Sequence, residues 1–129
     1  MISDDFNLAT IEYSENNKEN TTTKLIEIIN EKNPTYSPLS LYFIIDNELI
    51  SDQKQINKLF DILIDQTSLD DEINNLVIYK KALFNADQSS EGDLLNLLNP
   101  LINSKSVWKS HALYLMAEYF YAKEQNQKA

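Results

Sequence analysis

Few side chains in this sequence are of a type that does chemistry. His111 is the only imidazole, and there is no cysteine. A nucleophile–base pair built on cysteine is therefore excluded, and one histidine cannot complete an ordinary zinc site. Ser106 and Ser110 lie near His111 in sequence, so a serine–histidine–carboxylate set is arithmetically possible. Neighbours on one helix point roughly 100° apart, however, so Ser110 and His111 cannot face each other. The acidic pairs Asp4-Asp5 and Asp70-Asp71-Glu72 are of a kind that holds metals or shuttles protons. Each opens a predicted helix, where carboxylates cap free N–H groups and meet the positive end of the dipole. The stretch "DQSSEGD" lacks the ligand ladder of a calcium loop, and a single glycine cannot build a phosphate cradle. Elimination leaves no catalytic residue, no cofactor and no metal, and His111 reads as a groove or surface residue.

Charge narrows the partners. Twenty acids face eleven bases for a net −9, and every base is lysine. Phosphate and base-edge recognition lean on arginine forks and a basic surface, so nucleic acid is not an expected partner. Direct contact with an anionic membrane is not expected either, on the same ground. The negative shell reads as a solubilising one. No run approaches the ~20 apolar residues of a membrane span, and the acidic "MISDDFNLA" does not resemble a signal peptide.

The elements that carry these side chains read as helices throughout. Apolar residues recur every three or four positions, strict alternation is missing, and one Gly with three Pro is too little for a turn-rich β fold. Seven helices are predicted: about Ser3–Ser14, Asn20–Glu31, Ser37–Ile50, Gln53–Asp65, Asp70–Ala86, Ser90–Asn103 and Val107–Lys123. Ser37-Pro38 reads as a cap followed by proline at the first helical position. Ser90 with Asp93 reads as a second cap, and Pro100 should bend the last turn of its helix.

Helices of this length with short polar links call for a repeat search. Leu41-Tyr42, Ile78-Tyr79 and Leu113-Tyr114 superpose with shifts of 37 and 35 residues. Three residues after each tyrosine stand Ile45, Ala82 and Ala117; Phe6 and Ala9 take the same slots in an earlier unit. Four units follow, about 3–33, 34–69, 70–105 and 106–129, within one domain spanning 1–129. The last is incomplete, with Ala129 in the slot of Leu94, which predicts a fragment or an uncapped end. A small residue at a helix crossing lets backbones approach closely. A first helix wedged between neighbours explains why "ALYLMAEYFYA" is apolar on most sides. The expected architecture is an all-α, right-handed solenoid of antiparallel helical hairpins.

Helix pairs of this length, with alanines at the crossing and an aromatic before them, resemble tetratricopeptide repeats. The stretch from Asp70 onward is similar to the tetratricopeptide-like domain of the bacterial ancillary SecYEG translocon subunit family, especially its alphaproteobacterial members. Leu98-Asn99-Pro100-Leu101 matches the Leu-x-Pro-Leu that ends their leucine-rich helix. Val107-Trp108-Lys109 stands where they carry Pro-Trp-Arg, and Glu124-Gln125-Asn126 where they carry a Gly-Asp turn. The resemblance implies a domain on the periplasmic side of the inner membrane, held by an N-terminal anchor that this sequence lacks. It implies the translocon or periplasmic chaperones as partners. Met1 then marks an expressed fragment; the rival is a short cytoplasmic relative.

Tetratricopeptide domains line a concave groove with their first helices, so the resemblance puts Phe6, Tyr42, Tyr79 and Tyr114 beside such a groove. His111 and Tyr121 extend that column, and Lys80 and Glu118 flank it. Rings there would offer apolar faces and hydroxyls to a peptide; equally, they would fill gaps between repeats. Trp108 with Val107 is expected to plug the joint to the preceding helix. The function expected is non-catalytic protein or peptide binding. The alternative is an assembly subunit that self-associates through its open C-terminal repeat.

Overall fold

The predicted periodicity becomes helix throughout the computed structural model, which describes residues 1–128. Seven α-helices and two short 3-10 turns, 15–17 and 86–88, make up its regular structure, with no strand among the described residues. Two compact units result, Met1–Asp70 and Asp71–Ala129. Ala129 and its expected equivalence with Leu94 lie outside the described residues. Among those residues no helix is long and apolar enough to cross a membrane.

The first unit holds α1 (Ile2–Ile11), α2 (Lys18–Asn30), α3 (Tyr36–Asp46) and α4 (Gln53–Gln66). The middle of it is α2, which packs on the other three. Leu25, Ile28 and Ile29, spaced to share one face of α2, are all buried. Leu41 and Ile44 of α3 and Ile56, Leu59, Phe60 and Leu63 of α4 complete the core. Each such side chain, fully buried, stabilises the unit by about 1.5–3 kcal/mol. Ala9 is the buried residue of α1, and its size allows close approach.

Local hydrogen bonds decide where these helices begin and end. The polar link after α1 does not stay open up to Asn20: the Ser14 N–H donates to Asn17 Oδ1 at 2.6 Å, and α2 starts at Lys18. The expected start of the third helix at Ser37-Pro38 is corrected, because Asn33 supplies the cap. Its Oδ1 accepts from the N–H groups of Thr35 (2.9 Å) and Tyr36 (2.8 Å). Ser37 is buried within the first turn and has another task. Its hydroxyl accepts the Asn33 N–H at 2.8 Å and donates to the Ile28 carbonyl at 2.7 Å. At many helix ends that amide and that carbonyl bond directly. Here the serine relays between them while Lys32 turns the chain at φ 57.

At the end of α3 no relay is needed. Leu49 N–H donates to Ile44 O at 2.9 Å and Glu48 N–H to Ile45 O at 3.2 Å. Glu48 occupies the left-handed position at φ 51, and buried Leu49 supplies the accompanying apolar contact. Asp52 then caps α4 by accepting the Lys54 N–H at 3.0 Å.

In the second unit α5 (Asp71–Asn85), α6 (Glu91–Ile102) and α7 (Lys109–Lys128) pack on one another. The core combines Val77, Ile78 and Ala82 with Leu94, Leu98 and Leu101, and with Ala112, Leu115 and Met116. Ser90 caps α6 as its spacing predicts, accepting the Asp93 N–H at 3.1 Å. The helix runs through Pro100 to Ile102. A turn over 106–108 delays α7 to Lys109, two residues later than predicted.

The wedged last helix is corrected too. One stripe of α7 is buried, but Leu113 is 47% and Phe120 45% exposed, and Ala117 is exposed as well. Leu41 and Ile78, which the sequence aligns with Leu113, are buried, and so is Ala82, which it aligns with Ala117. The difference lies in the surroundings: within the second unit, α5 and α6 pack on the other side of α7.

Candidate functional site

Glu72, two residues into α5, organises the second unit from a distance. Its Oε2 accepts the Val107 N–H at 2.6 Å, and its Oε1 accepts the Ser106 hydroxyl at 2.8 Å. Asn75 Nδ2 donates to Oε1 at 2.8 Å. The Ser106 oxygen in turn accepts the Trp108 N–H at 3.1 Å. One carboxylate thus sits at the positive ends of both α5 and α7. The Val107 amide, Asn75 and Ser106 together hold it below its ordinary 4.5. The sequence reading gave Glu72 to its own helix start; the structure gives it to the turn before α7 as well.

This clamp fixes Trp108. Its ring stacks on Tyr79 of α5, with centroids 6.3 Å apart at 14°. His111, one turn into α7, meets Trp108 edge-on at 5.0 Å and Tyr79 at 5.6 Å. The structure therefore brings together two of the predicted residues, Tyr79 and His111. Trp108 joins them instead of plugging a joint with Val107, which is 70% exposed. Such ring contacts contribute about 0.5–1.5 kcal/mol each beyond area burial.

On α7, about two turns further on, the Tyr119 hydroxyl donates to the Ser89 carbonyl at 2.8 Å. Lys123 lies over the Tyr119 ring, 5.5 Å from its centroid. These contacts border an open groove of about 520 Å³ between α7 and the C-terminal end of α5. Leu83, Leu115 and Ala122 give it apolar walls; Asp87, Glu118 and Lys123 give it a charged rim. Leu83 is 53% exposed, so an apolar surface is open to an incoming segment.

The other predicted residues separate. Phe6 packs against Tyr36 in the first unit, with centroids 5.6 Å apart. Tyr42, also in the first unit, is half-buried, and burial pushes its phenol up to about 12. Lys80 is half-buried on α5, and Glu118 lines the groove. Tyr114 and Tyr121 are each 66% exposed on the side of α7 away from its packed stripe. The four rings of the repeat column thus meet three environments: half-buried beside other helices, clustered with Trp108, and open to solvent.

Sequence reasoning missed the Glu72 clamp, Tyr119 and the groove walls. A signal for the clamp was present, since Glu72 and Ser106 stand 34 residues apart, close to the repeat length. The groove had none, because Leu83, Leu115 and Ala122 look like ordinary helix residues until α5 and α7 are packed. Comparison of the chain with family models, curated proteins and solved structures returns no match.

Proposed function

We propose that this chain is a non-catalytic protein-interaction module of the tetratricopeptide-like solenoid class, which takes a peptide segment of a partner into the α5–α7 groove. One observation carries the reading: an open cleft of about 520 Å³ whose walls are apolar and whose rim carries two acids and one lysine. A cleft of that size accepts a few side chains of an extended or helical segment, with rim charges fixing its register. The resemblance of the stretch from Asp70 onward supplies the setting, the periplasmic face of the inner membrane near the secretion translocon or its chaperones.

The test is selection of a displayed random dodecapeptide library against the purified chain. Enriched sequences should share an apolar core and bind at micromolar strength. Ala122→Arg, which fills the groove from a helix position, should remove that binding while far-UV circular dichroism stays unchanged. Absence of enrichment, or peptide binding indifferent to Ala122→Arg, refutes the groove as the site.

A further inference from the structure

The side of α7 opposite its packed stripe carries Leu113, Tyr114, Ala117, Phe120 and Tyr121, spaced as one helical face. Leu113 and Phe120 are nearly half exposed and the two tyrosines two-thirds exposed. Five contiguous apolar or aromatic positions left open on one helix exceed the scattered exposure of an ordinary surface. The groove described above lies on a different side of α7, toward α5, so this face is a separate surface.

Charge argues for what covers it. The chain carries −9, so two copies repel each other over most of their surface. Of the seven helices α7 alone has a positive sum, three lysines against two glutamates. Pairing through α7 therefore sets no net negative helix of one copy against that of the other. The face is also complementary to itself when two copies run antiparallel. Ala117 lies at its centre, the one small residue, where helices can approach to the short end of the ~8–10 Å range. Positions equidistant from Ala117 then oppose each other: Leu113 meets Tyr121 of the second copy, and Tyr114 meets Phe120. Eight residues before the centre stands Lys109, which comes opposite Gln125 of the second copy, next to its Glu124. That glutamate also meets the positive end of the α7 dipole.

We infer that two copies of the chain pair through α7 in a closed antiparallel dimer, with Ala117 of each at the crossing. A two-fold pairing uses one patch twice and closes on itself. A single helix about 30 Å long gives an interface at the small end of the stable range, so the dimer forms at micromolar concentration.

Sedimentation of the chain from about 1 to 500 µM tests this. The mass should rise from 14.9 kDa to twice that value. Ala117→Arg should hold it at the monomer value throughout with unchanged circular dichroism, because Ala117 is exposed. Register is read from single cysteines in this cysteine-free chain. Ala117→Cys should cross-link two copies under mild oxidant. Ser110→Cys should not, since the two sulfurs would lie roughly 20 Å apart in the antiparallel pair. A monomer over the whole range, association that survives Ala117→Arg, assemblies larger than two, or cross-linking through Ser110→Cys would overturn the inference. Peptide binding lost in Ala122→Arg but kept in Ala117→Arg separates this surface from the groove.

Discussion

Two serines of α3, three residues apart, make a sharp test of how the first unit is closed. Ser37 and Ser40 are both fully buried. The Ser40 hydroxyl donates to the Tyr36 carbonyl at 2.7 Å, four residues back on the same helix. That carbonyl belongs to the helix ladder, so replacing Ser40 by alanine removes a redundant bond and gains a little helix propensity. Ser37 differs. Its hydroxyl is the acceptor for the Asn33 N–H and a donor to Ile28. The Ile28 carbonyl keeps another donor, the Glu31 N–H at 3.2 Å, so the loss falls on the Asn33 amide. An amide left without an acceptor costs about 1–3 kcal/mol when buried, and the Asn33 amide is part-buried. Ser37→Ala should therefore destabilise the first unit by that amount, and Ser40→Ala should change it by less than about 0.5 kcal/mol. For a unit of this size the first change lowers the midpoint by roughly 4–24 °C. Thermal and urea unfolding followed by circular dichroism measure both. The fluorescence of Trp108, the only tryptophan, reports the second unit in the same samples. Equal effects of the two substitutions would refute the relay and leave burial alone as the cause.

Glu72 predicts a pH dependence with a definite sign. Its folded-state value is below its ordinary 4.5, so its stabilisation is present above that value and fades as pH falls through the folded one. The Trp108-monitored transition should weaken below about pH 4.5, and Glu72→Gln should flatten that acid slope; an unchanged slope refutes the clamp. Glu48 sits at φ 51, a region that disfavours side chains with a Cβ. Glu48→Gly should raise the stability of the first unit by about 0.5–1 kcal/mol in urea titration, and a loss would contradict the turn geometry. Ala82 is fully buried and Ala117 exposed although the sequence alignment of the helices pairs them. Ala82→Leu should cost about 1–3 kcal/mol through overpacking, whereas Ala117→Leu should leave the dilute monomer unchanged. Similar costs at both positions would mean that the far side of α7 is covered.

Helix number and type were legible in the sequence because apolar spacing is a local property. Each predicted helix lies within a few residues of an observed one. Ser90 was legible as a cap because its partner, the Asp93 amide, is three residues away. Ser37 was misread for a related reason. Its residue type suits a cap, but its two partners are set by the turn of α2 into α3, and Asn33 reaches the free amides first. Of the site residues, the sequence grouped four rings by repeat position, a statement about equivalence along the chain. Equivalent positions share a helix face; they do not share neighbours. Tyr79 finds Trp108 and His111 because Glu72 ties the start of α7 to α5. Tyr114 is two-thirds exposed, and its side of α7 stays open.

What the amino-acid order determined by itself was therefore short-range: seven helices, an acidic composition and one cap read correctly. The tertiary structure decided what needs partners about 30 residues apart, namely the carboxylate bridge from α5 to the turn before α7, the aromatic cluster, the groove beside Tyr119 and the face of α7 that remains bare. The physical reason is that helix formation depends on contacts three and four residues apart. Which faces those helices bury depends on what stands next to them, and no local pattern encodes that.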